Sequence, residues 1–180
     1  NDGDAVVVGV SGDGTSSYRG AVRVYDYTSS WALRSTITPP SETAADNVGY
    51  RNFGKSVSIS SDGTKIAYLG DQGTYSGSDD WTQLGSDIDG EATSDQSGFS
   101  VSMSSDGTRV AISAQFNDGN GSNAGHVRVY SESGGAWTQV GADIDGEAYN
   151  DYSGTSVSMS SDGTRVAIGA DGNDGTGSGA

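Results

Sequence analysis

The chain contains the thirteen-residue segment SVSMSSDGTRVAI twice, at residues 100–112 and again at residues 156–168. A near copy, SVSISSDGTKIAY, occupies residues 56–68. Self-similarity of this kind is the sequence signature of a fold built from stacked repeats, in which each unit buries a face against its neighbour. The repeating unit is therefore the first object to define.

The three copies follow Gly54, Gly98 and Gly154, which are separated by 44 and 56 residues. The longest unit, residues 98–153, contains four segments in which apolar residues alternate with polar or small ones, as in half-buried strands. The predicted strands are Phe99–Ser104, Arg109–Ala114, His126–Ser131 and Ala136–Gly141. The sequence Asp106-Gly107 predicts a tight turn between the first two strands. Four antiparallel strands in a repeat of about fifty residues are typical of one β-propeller blade.

The rest of the chain consists of incomplete versions of this unit. We call residues 1–53, a partial blade with strands two to four and a linker, unit 1, and residues 54–97, a shortened blade, unit 2. Residues 98–153, the full blade, are unit 3, and residues 154–180, a partial blade with strands one and two, are unit 4. The predicted fold is therefore all-β, with about three and a quarter propeller blades. Because closed propellers need roughly four to eight blades, we expect a fragment of a larger propeller or assembly.

The charge of the chain limits its partners. There are 9 basic and 24 acidic side chains, which give a formal net charge of −15. This balance argues against nucleic acid, because phosphates are bound by clustered Lys and Arg. No apolar run is long enough to insert across a bilayer, so no membrane insertion is predicted. The chain has no cysteine, which excludes disulfides and thiolate chemistry.

Several residues resemble the FG-GAP repeat, the blade of integrin-α-type propellers. Phe53-Gly54 forms the FG pair, Asp62-Gly63 follows after SVSIS, and Gly169-Ala170 forms the GA pair in unit 4. The resemblance implies a β-propeller, an extracellular or cell-surface location, and a non-catalytic role in adhesion or recognition.

Many FG-GAP repeats hold calcium in a hairpin loop with several spaced acidic ligands, and the resemblance does not extend to that loop here. The equivalent turn has one Asp, and a basic residue such as Arg109 stands near a usual acidic position, whereas Ca²⁺ needs six to eight oxygens. We expect Asp62, Asp106 and Asp162 to accept hydrogen bonds within their own turns instead.

The recurring sequence DIDGE contains the remaining calcium candidates. They are Asp87, Asp89, Glu91 and Asp95 in unit 2 and Asp143, Asp145, Glu147 and Asp151 in unit 3. Their order lacks the spacing of a twelve-residue calcium loop. The alternative is a polar turn between blades whose Asp side chains bind the local backbone. Apart from this calcium, no cofactor is predicted.

The single histidine and the three tryptophans are the remaining residues with a possible role in a site. The only histidine, His126, begins a predicted strand, and we expect it to be exposed and without catalytic or metal partners. Trp31, Trp81 and Trp137 recur in register, which favours packing between blades over stacking on sugars.

Residues in predicted loops are the candidates for recognition, because loops carry function on rigid scaffolds. Asn120 begins an Asn-Gly-Ser sequon and is a candidate glycosylation site. The recognition candidates are the non-repeating tyrosines Tyr18, Tyr50, Tyr75, Tyr149 and Tyr152.

These features predict a non-catalytic extracellular module that binds other protein chains, copies of itself or glycans, or that serves as a scaffold. One alternative is a structural subunit of an extracellular filament or surface sheath, in which another chain fills the third-strand position near residues 74–80. A second alternative is a hydrolase on a propeller scaffold, which requires acids from different blades to converge in one pocket.

Overall fold

The structure is a computed structural model that describes residues 4–10, 20–38, 53–69 and 81–175. Within these ranges it is all-β and contains no helix, and none of the described residues belong to a helix long and apolar enough to cross a membrane. The strands are β1 (Ala5–Val10), β2 (Ala21–Tyr27), β3 (Trp31–Ile37), β4 (Val57–Ile59), β5 (Ile66–Tyr68), β6 (Ser97–Met103), β7 (Arg109–Ala114), β8 (His126–Ser133), β9 (Ala136–Gln139), β10 (Ile144–Asp145), β11 (Ser153–Met159) and β12 (Val166–Ala170).

Unit 3 forms the predicted antiparallel sheet, with five strands in place of four. Strands β6, β7 and β8 lie side by side in chain order, and both β9 and β10 pair with the outer edge of β8. Strand β10 was not predicted: Ile144 and Asp145, part of the DIDGE segment, pair with Val127 and His126. The outer strand of the blade is therefore longer than predicted and interrupted in its middle.

The other units contain parts of the same sheet. Unit 1 contributes the antiparallel sheet β1-β2-β3, unit 2 the pair β4-β5, and unit 4 the pair β11-β12. The third-strand position of unit 2 lies outside the described residues, so its occupant stays a prediction, as do the blade count and the unit boundaries.

Each Ser-Asp-Gly-Thr turn is closed by its aspartate, as predicted. In unit 3, Asp106 Oδ1 accepts hydrogen bonds from Ser104 Oγ at 2.7 Å, Thr108 N at 3.0 Å and Thr108 Oγ1 at 2.8 Å. Asp62 and Asp162 make the same three bonds in their turns. Since bonds from the serine, then from the threonine, favour the carboxylate, they lower the pKa of each aspartate to about 2.

The lowered pKa values of the turn aspartates predict that the free energy of unfolding falls at acidic pH. A folded-state pKa below the ordinary value of about 3.8 means that the unfolded chain takes up protons first as pH falls. The stabilisation is complete above about pH 4 and lost between about pH 4 and pH 2. We expect the triple variant Asp62→Asn, Asp106→Asn, Asp162→Asn, which keeps an acceptor oxygen, to have a shallower fall in its urea midpoint across this range. An unchanged slope would show that the turns do not stabilise the fold electrostatically.

Successive units are joined through the serines that alternate along their first strands. Ser56 Oγ and Ser58 Oγ of unit 2 accept from the backbone N–H groups of Val101 and Met103 in unit 3, at 2.8 and 2.9 Å. The contact between units 3 and 4, which we call the serine joint like its counterpart between units 2 and 3, repeats this pattern. Ser100 Oγ and Ser102 Oγ accept from Val157 N and Met159 N at 3.1 and 3.0 Å. The serines therefore satisfy the backbone of the neighbouring unit, which explains why the repeat alternates Ser with apolar residues.

The turns add a second set of contacts between units. Lys65 Nζ donates to Gly107 O at 3.1 Å, and Arg109 Nη1 donates to Gly163 O at 3.0 Å. The backbone continues the pattern, because Ser61 N donates to Ser105 O and Ser105 N donates to Ser161 O. The basic residue that makes this turn a poor calcium site thus binds the next turn along the chain.

Two of the three tryptophans, Trp81 and Trp137, contact the preceding unit as predicted, whereas Trp31 is 51% exposed and packs against Tyr27 of its own unit. Trp81 Nε1 donates to Ser35 Oγ at 2.7 Å, and Arg34 lies over its ring. Trp137 Nε1 donates to Leu84 O at 2.9 Å. A core cluster of Val22, Ile37 and Phe53, joined by Val7, Val57, Ile66, Tyr68 and Trp81, fills the space between units 1 and 2.

The serine joint predicts a matched pair of stability effects. Ser102→Ala leaves Met159 N without its acceptor, so we expect a loss of about 1 to 2 kcal/mol in the free energy of unfolding. Ser158 has the same place in unit 4 but accepts no bond from a described residue, and Ser158→Ala should cost less than about 0.5 kcal/mol. Chemical denaturation of both variants measures the difference. Equal losses in the two variants would mean that the hydrogen bond from Met159 N to Ser102 Oγ does not stabilise the contact between units.

Candidate functional site

A polar cluster lies where the end of unit 2 meets the outer part of the unit 3 sheet. Strand β8 supplies His126 and Arg128, which are two residues apart and share one face of the strand. Asp143 comes from the segment between β9 and β10, and Glu91 comes from the chain before β6. The cluster therefore combines groups from two successive units.

Arg128 organises the two carboxylates. Its Nε donates to Asp143 Oδ1 at 2.9 Å and its Nη2 to Asp143 Oδ2 at 2.7 Å, a bidentate pair. The same Nη2 contacts Glu91 Oε1. Asn117 Nδ2 holds Glu91 Oε2 at 3.1 Å, and Gln139 Nε2 holds Asp143 Oδ1 at 2.6 Å.

His126 faces the same carboxylates without bonding to them. Its Nδ1 lies 3.7 Å from Asp143 Oδ2 and 3.9 Å from Glu91 Oε2. The expectation of an exposed histidine is wrong, because His126 is only 4% exposed. Glu91 of unit 2 and Asp143 lie against the imidazole, on the face of β8 that His126 shares with Arg128. Within the described part of the chain, Nδ1 has no hydrogen-bond partner.

The protonation states follow from these contacts. The hydrogen bonds from Arg128 lower the pKa of Glu91 and of Asp143, so both are ionised at neutral pH. Burial, followed by the charge of Arg128, lowers the pKa of His126 despite the nearby carboxylates. The imidazole is therefore neutral at pH 7 and offers a lone pair.

The other calcium candidates do not join this cluster as ligands, although Asp145 on β10 pairs through its backbone with His126. Asp87 accepts from Gln83 Nε2 at 2.8 Å, while Asp89, Asp145 and Glu147 are exposed. Among the described residues, the one group of three His, Asp or Glu side chains close enough to share a metal ion is Glu91, His126 and Asp143.

Asp95 and Asp151 have a different position, since both are buried. Asp95 Oδ2 accepts from Asn117 Nδ2 at 2.9 Å, and Asp151 Oδ2 accepts from Asn173 Nδ2 at 3.2 Å and Ala148 N at 2.8 Å. Each aspartate thus fixes the Asn-Asp-Gly loop of the following unit.

Asn120, Tyr149 and Tyr152, the glycosylation candidate and the two described recognition candidates, lie on one loop surface. Asn120 is exposed, and its Nδ2 donates to Gly146 O at 2.8 Å and Glu147 O at 3.2 Å. Tyr149 is 66% exposed, whereas Tyr152 packs edge-on against Phe116 at a centroid distance of 5.7 Å. Tyr18, Tyr50 and Tyr75 lie outside the described residues.

The loop surface is held rigidly. Backbone bonds run from Asn150 N to Ser122 O, from Tyr152 N to Asn123 O and from Ser153 N to Ala124 O. The side chains of Asn123 and Asn150 add a bond of 3.1 Å. This network presents Tyr149 from a fixed backbone.

Sequence reasoning did not find the roles of His126 and Arg128. Their spacing on one strand was visible, and so was the acid at Asp143 beyond the next hairpin. Nothing in the local sequence indicates that Glu91, in the preceding unit, lies against β8.

The comparison with known families agrees with this geometry. Residues 87–130, which include β6, β7 and most of β8, match the family model of the FG-GAP repeat. No curated protein matches the chain. The predicted resemblance is thus confirmed for residues 87–130: the chain contains an FG-GAP-like repeat within an all-β fold.

Proposed function

We propose that the chain is a non-catalytic, extracellular repeat module, in which stacked blades form the scaffold and the loops that differ between units recognise a protein or a glycan. One observation supports this proposal above all: the polar side chains that recur in each unit form hydrogen bonds that hold the turns and the stacked units together. The serines, the turn aspartates and the basic residues after the turns bind backbone or neighbouring units.

The loop around Tyr149 supports the recognition role. An exposed aromatic ring on a rigid backbone offers large contact area at low entropic cost, which is how recognition surfaces gain affinity. The match to the FG-GAP repeat supports both the extracellular location and adhesion or recognition as the class of function.

The carboxylates give little support to the hydrolase alternative. Glu91 and Asp143 do converge from different units, but hydrolysis by a carboxylate pair needs one acid with a raised pKa. Here hydrogen bonds from Arg128 lower both pKa values, and the guanidinium contacts both groups.

Binding to an array of glycans and purified extracellular protein domains tests the recognition role. We expect saturable binding that Tyr149→Ala abolishes and Tyr27→Ala, an exposed tyrosine on the β1-β2-β3 sheet, leaves unchanged. Hydrolysis of an arrayed glycan, or binding that survives Tyr149→Ala, would contradict the proposal.

A specific observation favours assembly of copies as a second candidate function. Unit 1 exposes a face that includes Val6, Val8 and Trp31, whereas Val110, the counterpart of Val6 in unit 3, is 2% exposed. We call this the front face of unit 1. The back face of unit 4 exposes Ser156, Ser158 and Arg165, whose counterparts Ser100, Ser102 and Arg109 bind the next unit.

A front face and a back face on one chain form a head-to-tail joint, which yields rings or filaments. Light scattering over a range of concentrations tests this candidate. We expect the mass to rise above that of one chain, and Val8→Asp on the front face to reduce it to a single chain. A single-chain mass at every concentration would overturn assembly while leaving recognition intact.

A further inference from the structure

We propose that Glu91, His126 and Asp143 form a binding site for a divalent transition-metal ion of the zinc type, which links unit 2 to unit 3. The site is independent of the recognition surface at Tyr149. Each residue offers one ligand atom, and these three atoms all lie within 4.8 Å of one another. We assign His126 Nδ1, Glu91 Oε2 and Asp143 Oδ2 as the ligands.

The separations are close to those that a metal requires. Zinc binds imidazole nitrogen and carboxylate oxygen at about 2.0 to 2.2 Å, so two ligands of a tetrahedral ion lie roughly 3.4 Å apart. Nδ1 lies 3.7 Å from Asp143 Oδ2 and 3.9 Å from Glu91 Oε2. Small rotations of the half-exposed Glu91 side chain close the remaining few tenths of an ångström.

The buried histidine supplies the independent evidence. A buried nitrogen without a partner costs free energy, so native structures rarely contain one. His126 is more than nine-tenths buried, and its unpartnered Nδ1 faces two ionised carboxylates. A metal ion is the ligand that would use the nitrogen lone pair and both negative charges together.

Arg128 is compatible with the ion. Its charge balances one of the two carboxylates, and the second remains, so the cluster keeps a net charge of −1 with a neutral histidine. Arg128 Nε holds Asp143 Oδ1, and Nη2 contacts Glu91 Oε1, the two oxygens that are not assigned to the metal. Arg128 Nη2 also donates to Asp143 Oδ2 at 2.7 Å, and Asn117 Nδ2 donates to Glu91 Oε2 at 3.1 Å, so each ligand oxygen would bind the ion through its second lone pair. A carboxylate held by a neighbouring hydrogen-bond donor is the usual way in which metal ligands are oriented.

The mixed ligand set selects the class of metal. Imidazole favours zinc, copper, iron and nickel, while calcium takes six to eight oxygens and gains little from a nitrogen. The site therefore differs from the calcium predicted for the DIDGE acids, because it uses one acid from each copy of that segment and a histidine.

A zinc titration of the full chain tests the proposal, with calorimetry to measure binding and ¹⁵N NMR to observe the imidazole. Since the chain has a single histidine, its Nδ1 resonance reports this site alone. We expect one Zn²⁺ per chain, a shift of the Nδ1 resonance, and an affinity that Glu91→Gln lowers by roughly tenfold or more. Glu147→Gln is the matched control, because it removes the same charge from the other DIDGE segment and should leave the affinity unchanged.

Every other outcome overturns the proposal. Absence of zinc binding removes the site, and zinc binding without a shift of the Nδ1 resonance assigns the ion to surface acids. Equal losses of affinity in Glu91→Gln and Glu147→Gln indicate a general effect of charge. Binding of Ca²⁺ in preference to Zn²⁺ would mean that the acids bind the ion through oxygen atoms alone, without His126.

Discussion

Gly125→Ala is expected to destabilise the fold by about 3 kcal/mol or more, which is a large part of the stability of a typical domain. Gly125 has a φ of +74°, and a Cβ at this position would lie 2.3 Å from Ser153 O and 2.9 Å from Gln115 O. These are backbone atoms, which cannot rotate away. The Gly125 N–H donates to Asn117 O, and Gly125 O accepts from Gly146 N, so the residue is fixed on both sides.

Gly134→Ala is the matched control for backbone strain. Gly134 has a φ of +61°, but a Cβ there would meet no heavy atom within 4 Å. Its cost should be the left-handed strain alone, about 1 to 2 kcal/mol. Urea denaturation of both variants separates the two contributions. Similar losses would mean that Ser153 and Gln115 do not pack against Gly125 as the structure shows.

Arg128→Ala is expected to cost about 2 to 3 kcal/mol, the second largest effect. The variant leaves the Asp143 carboxylate without its bidentate partner and Glu91 without its cation. Removing one partner from a fully buried pair costs about 3 to 5 kcal/mol. The cost is smaller here because both carboxylates reach water.

The repeat itself provides the control for this variant. Arg23 has the same place in the sequence VRVY of unit 1, but it is exposed and forms no ion pair with a described residue. Arg23→Ala should therefore change the free energy of unfolding by less than about 0.5 kcal/mol. Should the two arginine variants lose equal stability, the ion pairs of Arg128 would not be the cause.

The sequence predicted local structure well because alternation and turns are local properties. The bounds of β7 agree with the prediction, and the aspartate-closed turns were expected from one Asp and one Gly. The ends of β6, β8 and β9 differ by a few residues, since pairing with neighbouring strands decides where a strand ends. Strand β10 was missed because Ile144–Asp145 is paired only through its contact with β8.

The site could be predicted only in part, because it depends on contacts between distant segments. Glu91 and Asp143 were singled out as acids, but for calcium and in separate groups. The alternation of Ser with apolar residues gave no indication that the serines accept hydrogen bonds from N–H groups of the adjacent unit. His126 was expected to be exposed because nothing local indicates that Glu91 of the preceding unit lies against it.

Amide hydrogen exchange across the joint between units 3 and 4 tests the central claim, that repeated units stack through their serines. The account predicts slow exchange at Val157 and Met159 in the native chain, and faster exchange at Met159 in Ser102→Ala, with Val157 still protected by Ser100. Fast exchange at both amides in the native chain, or no change at Met159 in the variant, would contradict stacking through this joint.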